Sequence, residues 1–469
     1  MKFNISISNF GKINNADIKI RPFTVIAGPN SSGKSFVTKA LYSFFSTINI
    51  DHVTVETFSR TDDLQRLATY LNATLPRPSS RMVDALYKEF VEKINVIEGT
   101  IEDAFEKNTF SDQVSRAFLL KEAIDGLEKS FNNLNSQVSN KAKYSKVTDQ
   151  FDNIKNNINQ LKKIADNPSE CLSSGINTGF INALKENFQV SSLTDLKNYH
   201  VDNDSIVKFN FDTLGSIEIK KETLSFSLNR DSIDEFQNLY NVVYIESPVY
   251  WKMKEALESV RKNKRFFSIS RIKQADYLTG VPKHFYDLVD FLKNKTKNSE
   301  NIKLEQSVIK TAIGGEIIIS ESGELYFKED GYTKNINLHA TALGVTNLGI
   351  ISLLLERGIL AKGSYLFVDE PEVHLHPSWQ KIMIDTLFEL SKKEINIVIA
   401  SHSIDMMKCI ENIMEQEESL NLDEHFGINQ LSSEGNSLNG SDNVFKRISA
   451  IKEDLGKSFY EMFIDSKWE

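Results

Sequence analysis

The chain has 469 residues, 40% hydrophobic and 25% charged, with a formal net charge of −9. That length exceeds one ordinary domain and predicts a core with a large insertion or a second lobe. The balance is that of a soluble protein: no stretch approaches the apolar run a membrane helix needs, and the acidity argues against a protein coated in nucleic acid, though a local basic patch is compatible with it.

Lys2-Phe3-Asn4-Ile5-Ser6-Ile7 reads as a strand and lacks the charged-then-apolar pattern of a signal segment. Cys171 and Cys409 cannot build a disulfide framework and sit in no metal-ligand spacing. A cytoplasmic protein with no membrane partner is expected.

Phe23-Thr24-Val25-Ile26-Ala27 is a short β-rich strand, Gly28 to Ser35 a loop, and Phe36 to Phe45 carry a helical apolar spacing. From about residue 50 to 200 the texture is helical. Met82, Leu86, Phe90, Ile94 and Ile97 recur at helical spacing, as do Leu120, Ile124 and Leu127, then Phe151, Ile154, Ile158 and Leu161. Antiparallel helical hairpins fit better than a long coiled coil, because the heptads are short and irregular. Alternation over 206–211 and 224–228 predicts half-buried strands, and Val242–Ile245 a buried one. Residues 252–310 read as helical and basic, and Glu321-Ser322-Gly323 as a hairpin turn between 316–319 and 324–327. The pattern closes with helix 343–357, strand 365–369, helix 378–392 and strand 395–400, and 431–442 reads as a flexible loop. The expected organisation is thus a core part over 1–50, a helical insertion over 51–204 and a second core part over 205–469.

Three segments carry chemistry. Gly28-Pro29-Asn30-Ser31-Ser32-Gly33-Lys34-Ser35 satisfies every fixed position of G-x-x-x-x-G-K-[ST]. Its backbone N–H groups, from Asn30 through Ser35, are expected to cradle phosphate oxygens at a helix N-terminus. Lys34 reaches the β- and γ-phosphates of ATP, and Ser35 ligates magnesium (Mg2+). A chance Gly/Ser turn is the competing reading, but the flanking strand and helix are those the motif requires. Leu366-Phe367-Val368-Asp369-Glu370 is an apolar strand ending in two carboxylates. Asp369 can hold magnesium through water, and Glu370 can orient and polarise the attacking water. Taken alone, the pair is an acidic strand cap. Ile397-Val398-Ile399-Ala400-Ser401-His402-Ser403 ends a further strand in a histidine able to hydrogen-bond the γ-phosphate.

Asn9-Phe10-Gly11-Lys12-Ile13, Gly28–Ser35, Asp369-Glu370-Pro371-Glu372-Val373-His374-Leu375-His376-Pro377 and Ser401-His402-Ser403 together resemble the SMC/RecF branch of ABC-type ATPases. They are most similar to members with an Asp-Glu-Pro-Glu-x-x-Leu-His-Pro block, including OLD-family proteins and the ATPase subunits of the Septu and PARIS anti-phage systems. The resemblance implies an α/β P-loop ABC-type head, a mixed sheet with helices, carrying a large helical insertion. It implies that Asp369 is the Walker B aspartate, Glu370 the catalytic glutamate and His402 the switch histidine, with Pro371–Pro377 at a dimer seam. ATP would be hydrolysed slowly, in composite sites of a homodimer or higher homo-oligomer. His374 and His376 would be structural rather than metal ligands. The family's Ser-x-Gly signature falls at Thr341-Ala342-Leu343-Gly344-Val345-Thr346, where Ala342 replaces the serine and Gly344 is kept. One hydroxyl contact to the γ-phosphate is lost unless Thr341 or Thr346 supplies it, which bears on turnover more than on binding. Glu246-Ser247-Pro248 stands where relatives carry a conformation-sensing segment.

Only 67 residues follow His402, without the acidic pattern of a magnesium nuclease domain. The output is therefore expected in a separate effector protein, a nuclease, whose release or restraint this chain controls in anti-phage defence. The alternative is a RecF-like DNA-repair or DNA-binding ATPase. A transporter subunit fits poorly, since the glutamine loop and the Leu-Ser-Gly-Gly-Gln signature are absent. Arg261, Lys262, Lys264, Arg265, Arg271 and Lys273 around Phe266 and Phe267, with Lys293, Lys295 and Lys297, could track nucleic acid. A solvated helix face is the reading favoured for that stretch.

Overall fold

The computed structural model describes residues 2–75, 80–103, 109–139, 148–202, 204–269, 278–293, 303–321, 323–438 and 443–465. Two compact units emerge, one made of Met1–Ser46, Phe180–Asn229 and Leu239–Glu469, the other of Thr47–Gly179 and Arg230–Asn238.

The first unit is a mixed α/β body with three sheets. Its central sheet holds β3 (Phe23–Ala27), β7 (Val242–Ile245), β11 (Tyr365–Asp369), β12 (Asn396–Ser401) and β13 (Phe426–Gln430), in the order β13-β3-β12-β11-β7. Every pairing is parallel. Every residue of these strands is buried, as a sheet covered on both faces requires. An antiparallel sheet of β1 (Phe3–Phe10), β2 (Ile13–Ile20), β4 (Val207–Asn210), β5 (Gly215–Lys220) and β6 (Thr223–Leu228) runs in the order β2-β1-β4-β5-β6. β8 (Gly315–Ile319), β9 (Leu325–Glu329) and β10 (Ile336–Asn337) form the third.

Apolar faces of helices cover the central sheet. Leu348, Ile351 and Leu354 come from the helix Leu343–Glu356, and Met383, Ile384 and Leu387 from Pro377–Lys392. The segment expected to be a flexible loop at 431–442 is, over 431–438, a hydrogen-bonded hairpin. Ser432 N–H donates to Asn436 O at 2.9 Å and Leu438 N–H to Gln430 O at 2.9 Å. Residues 439–442 lie outside the described residues, as do the basic positions Arg271, Lys273, Lys295 and Lys297 and the side chains of Lys262, Lys264, Arg265, Phe266 and Phe267. Arg261 grips Asp290 with both terminal nitrogens, at 2.8 and 2.6 Å, and Lys293 bonds Glu258 at 2.6 Å, so these two cations are engaged within the chain.

The second unit is helical. His52–Thr74, Arg81–Asp103, Phe110–Ser139 and Thr148–Asp166 bury one apolar core. The residues read at helical spacing meet there: Phe90, Ile94, Ile97, Leu120, Ile124, Leu127, Phe151, Ile154, Ile158 and Leu161 are all buried, while Met82, the first of that stripe, is exposed. Asp51 caps the first helix, accepting the Thr54 N–H at 2.9 Å, and the same carboxylate pairs with the buried Arg116. Phe131 packs between Phe90 and Phe151, with ring centroids at 5.9 and 5.7 Å. Phe131→Ala should cost about 3–5 kcal/mol, read as a lowered midpoint of this unit's transition in urea. A loss under about 1 kcal/mol would mean that the helices do not share this core.

Candidate functional site

The parallel strands end together along one edge of the central sheet. Asp369 of β11 is level with Ala400 of β12, which is level with Ile26 of β3. One residue further on stand Glu370, Ser401 and Ala27, where the phosphate loop begins. Ligands of open α/β sheets bind at such a carboxyl edge.

The loop from Gly28 leads into the helix Lys34–Ile48. Gly33 has φ +97, a backbone conformation that favours glycine. Ser31 also lies in the left-handed region, at φ 64. The Lys34 ammonium lies inside the curl, donating to Gly28 O at 3.0 Å and Pro29 O at 2.9 Å. Burial lowers its pKa, opposed in turn by Glu370, Asp369 and Glu372. Asn30 and Pro29 border a cavity of about 540 Å3 that also touches His402, Ser432 and Asp454.

Asp369 is almost fully buried. Burial pushes its carboxyl up to about 6; the Ser35 hydroxyl pulls against this, Glu246 adds to it, and Lys39 and Tyr244 oppose it. Tyr244 donates to Asp369 Oδ2 at 3.0 Å, while the buried Oδ1 has no protein partner, and neither has Ser32 Oγ. A buried carboxylate oxygen left open beside a serine at a helix N-terminus fits a magnesium ion that keeps most of its water and takes only one or two protein oxygens. Among the described residues no group of three or more His, Cys, Asp or Glu could hold a metal. The fit is therefore to a shared site in which phosphate and water complete the coordination.

Glu370 sits at φ 51, locked by its N–H to Ala400 O at 2.9 Å. Its Oε1 is 3.8 Å from His402 Nδ1. Glu372, buried, holds the end of β12: its Oε1 accepts from Ser401 Oγ at 2.9 Å and from His402 N–H at 2.9 Å, and lies 3.2 Å from His402 Nδ1. Ser403 in turn caps the helix Ile404–Gln416 and donates to Gln380 Oε1 at 3.0 Å.

His376 caps the helix Pro377–Lys392, its Nδ1 accepting the Ser378 N–H at 3.3 Å, which is a structural use of that side chain. His374 lies at φ 63 in the same turn. Gly344, at the start of the helix Leu343–Glu356, presses on this turn; a Cβ there would meet His374 O at 2.7 Å. Ala342 is that helix's N-cap and makes no side-chain cap bond. Both flanking threonine hydroxyls are bonded within the chain. Thr341 Oγ1 donates to Asn337 O at 3.3 Å, and the fully buried Thr346 Oγ1 to Ala342 O at 3.2 Å.

Sequence reasoning named Glu246 only as the start of a segment and missed its partners. Lys39, one turn into the phosphate-loop helix, bonds Glu246 Oε1 at 2.7 Å; His284 Nε2 bonds Oε2 at 2.9 Å. Burial pushes Glu246 up, but the His284 hydrogen bond and the Lys39 ammonium outweigh it and hold its carboxyl at about 2. Burial lowers His284, so Lys39 supplies the positive charge of the trio at neutral pH. The depressed pKa means that the stabilisation is complete above the unfolded glutamate value of 4.5 and is lost as pH falls towards 2. Glu246→Gln should therefore cost on the order of 3 kcal/mol at pH 7. The difference from wild type should narrow below about pH 4.5 in denaturation curves taken across pH. A gap that stays constant down to pH 3 would assign the loss to packing instead.

Residues 1–407 match the model of the AAA ATPase domain family. No curated protein matches the sequence. Among solved structures the chain is similar to the Smc head domain with an extended coiled coil bound to the C-terminal domain of ScpA from Pyrococcus furiosus, at 12% identity over 97% of this chain and 99% of that one, with a TM-score of 0.38. It is similar also to the SMC head domain from Thermotoga maritima, at 12% identity over 87% of this chain and 91% of that one, with a TM-score of 0.30. Among the described residues no helix is long and apolar enough to cross a membrane. With the family model spanning residues 1–407, and with the Gly28–Ser35 loop, the Asp369–Glu370 carboxylate pair and His402 gathered at one sheet edge, the protein belongs to the AAA ATPase domain family.

Proposed function

We propose that the protein is a cytoplasmic, ATP-driven switch that hydrolyses ATP slowly between two copies of itself and controls a separate effector, a nuclease, in anti-phage defence. The observation that carries the ATPase part is the meeting of Lys34, Asp369, Glu370 and His402 beyond the ends of three adjacent strands. The backbone from Asn30 to Ser35 binds the triphosphate, and Lys34 moves from its own loop carbonyls to the β- and γ-phosphates. Ser35 and the open Oδ1 of Asp369 would hold magnesium, whose charge would offset that of the phosphates. Glu370, more exposed than Asp369, orients the attacking water, and His402, held by Glu372, hydrogen-bonds the γ-phosphate and reports its loss.

The second copy enters through the helix that starts at Leu343. Ala342 offers no hydroxyl and the neighbouring threonines are engaged, so the partner's contribution reduces to backbone N–H groups near Gly344 and the helix dipole. That weakened cap supports slow turnover, as suits a switch that must persist in its ATP form. The effector and the defence role rest on the resemblance of the Asp369–Pro377 block to the ATPase subunits of Septu and PARIS.

Lys34→Ala should abolish ATP binding measured by calorimetry, since it removes the one full positive charge in the loop; normal affinity would remove the phosphate-loop assignment. Glu370→Gln should slow hydrolysis at least about a hundredfold while leaving binding intact. It should also accumulate as a dimer or larger ring with ATP and magnesium, seen as earlier elution in size exclusion. Hydrolysis at the wild-type rate would show that Glu370 is not the base. Arrested hydrolysis with no change in assembly would remove the composite site. Co-purification with the product of a neighbouring gene tests the effector, and a replication or repair protein in that place would favour the DNA-repair reading.

A further inference from the structure

Tyr244 is fully buried beneath the site, on the strand neighbouring Asp369, and no motif accounts for it. Register explains its reach. Tyr244 of β7 pairs with Phe367 of β11, two residues before Asp369. Side chains two apart on a strand share a face, so the phenol rises past Phe367, on which its ring stacks at 6.0 Å, towards the carboxylate. Its hydroxyl ends 3.0 Å from Asp369 Oδ2 and 3.0 Å from Thr38 Oγ1.

The proton count gives this chain one direction. The carboxylate can only accept, so the single phenolic proton goes to Asp369. The phenol oxygen then accepts, and Thr38, on the phosphate-loop helix, must donate. The competing acceptors of Thr38, the carbonyls of Lys34 and Ser35, are more distant at 3.4 Å. An ordinary phenol carries its proton at neutral pH. A relay of fixed polarity, Thr38 to Tyr244 to Asp369, thus occupies Oδ2 and leaves the buried Oδ1 without a protein partner.

We propose that Tyr244 is a positioning residue which, oriented by Thr38, turns Asp369 so that Oδ1 alone is presented to the magnesium ion that accompanies the nucleotide. The assignment rests on the reading of Asp369 as a magnesium ligand and adds which oxygen serves and what holds it. Groups that orient metal ligands typically change metal affinity about 10–100-fold when removed. The relay also ties the carboxylate to the helix that begins at Lys34, so the two halves of the magnesium site move together.

The test is calorimetric binding of ATP to the full chain across a magnesium titration, with a metal-free arm in excess EDTA. In Tyr244→Phe the magnesium concentration giving half of the metal-dependent gain in affinity should rise about tenfold, with metal-free affinity unchanged. Thr38→Val, which keeps the phenol but removes its donor, should shift the same midpoint in the same direction by a smaller factor. It carries the test alone if Tyr244→Phe does not fold. A wild-type midpoint in the folded variants overturns the assignment. So does an equal loss of affinity with and without magnesium, which marks a purely structural role. If wild-type binding is itself indifferent to magnesium, the reading of Asp369 beneath the proposal is what fails.

Discussion

Burying a carboxylate at the end of a fully buried strand is the constraint on which the rest of the site depends. β11 contributes five buried residues, and the last, Asp369, carries its charge into the same low-dielectric environment. Such a group is tolerated only if neighbours supply hydrogen bonds or opposite charge. The strands on either side of β11 set what is within reach. β7 brings Tyr244 and then Glu246; β12 brings Ser401 and His402; β3, one strand further, brings the loop that returns as Lys34 and Ser35. Parallel pairing makes all of these arrive at the same edge, since each strand points the same way and each loop leaves from the same end.

The site is nonetheless unbalanced towards negative charge. Asp369, Glu370, Glu372 and Glu246 crowd it, against Lys34 and Lys39. Glu246 is neutralised locally by Lys39 and hydrogen-bonded by His284, and Glu372 is held by a hydroxyl and an amide. The surplus therefore stays on Asp369, Glu370 and Glu372, of which the first two are proposed to face magnesium and water. A divalent cation bound here would relieve this surplus and let an anionic phosphate chain approach. The chain's overall acidity is no obstacle to binding a triphosphate, because the phosphate loop offers backbone dipoles and an ammonium bonded only to loop carbonyls.

Much of what is local in sequence was legible. The phosphate loop, the strands at Val242–Ile245 and Tyr365–Asp369, and the helices from Leu343 and Pro377 follow from short patterns with flanking signals. What stayed hidden is long-range. Lys39 and Glu246 are separated by 207 residues, and Tyr244 and Asp369 by 125. Nothing near either partner announces the other. β13 escaped for a different reason. Phe426-Gly427-Ile428-Asn429-Gln430 mixes a glycine and two amides into a buried strand, which pattern reading discounts. The amides survive burial because they are bonded. Asn429 accepts the Lys19 N–H at 2.7 Å and donates to Val25 O at 3.2 Å, and Gln430 donates to Asp454 at 2.9 Å. Only the fold supplies those acceptors. The threonines at 341 and 346 show the converse: their sequence position suggested a substitute for the missing serine, and only the geometry shows both hydroxyls already engaged.

The turn from Glu370 to His376 links the carboxyl edge of the central sheet to the helix start at Gly344. Two of its non-glycine residues, Glu370 and His374, hold left-handed backbone, a strain of roughly 1–3 kcal/mol each that surrounding contacts must sustain. Those contacts lie on two sides. Glu370 and Glu372 are fixed to β12 through Ala400, Ser401 and His402. His374 is pressed by the start of the helix at Gly344, where no Cβ fits. A displacement of Glu370 or His402 on loss of the γ-phosphate therefore cannot be absorbed within a relaxed loop, because the turn has no slack and its far side is packed backbone to backbone. It must pass to the helix start that, in the proposed dimer, faces the other copy's nucleotide. In the proposed dimer, strain held between Glu370 and the helix that starts at Leu343 would give hydrolysis in one copy a mechanical route to the grip on the other.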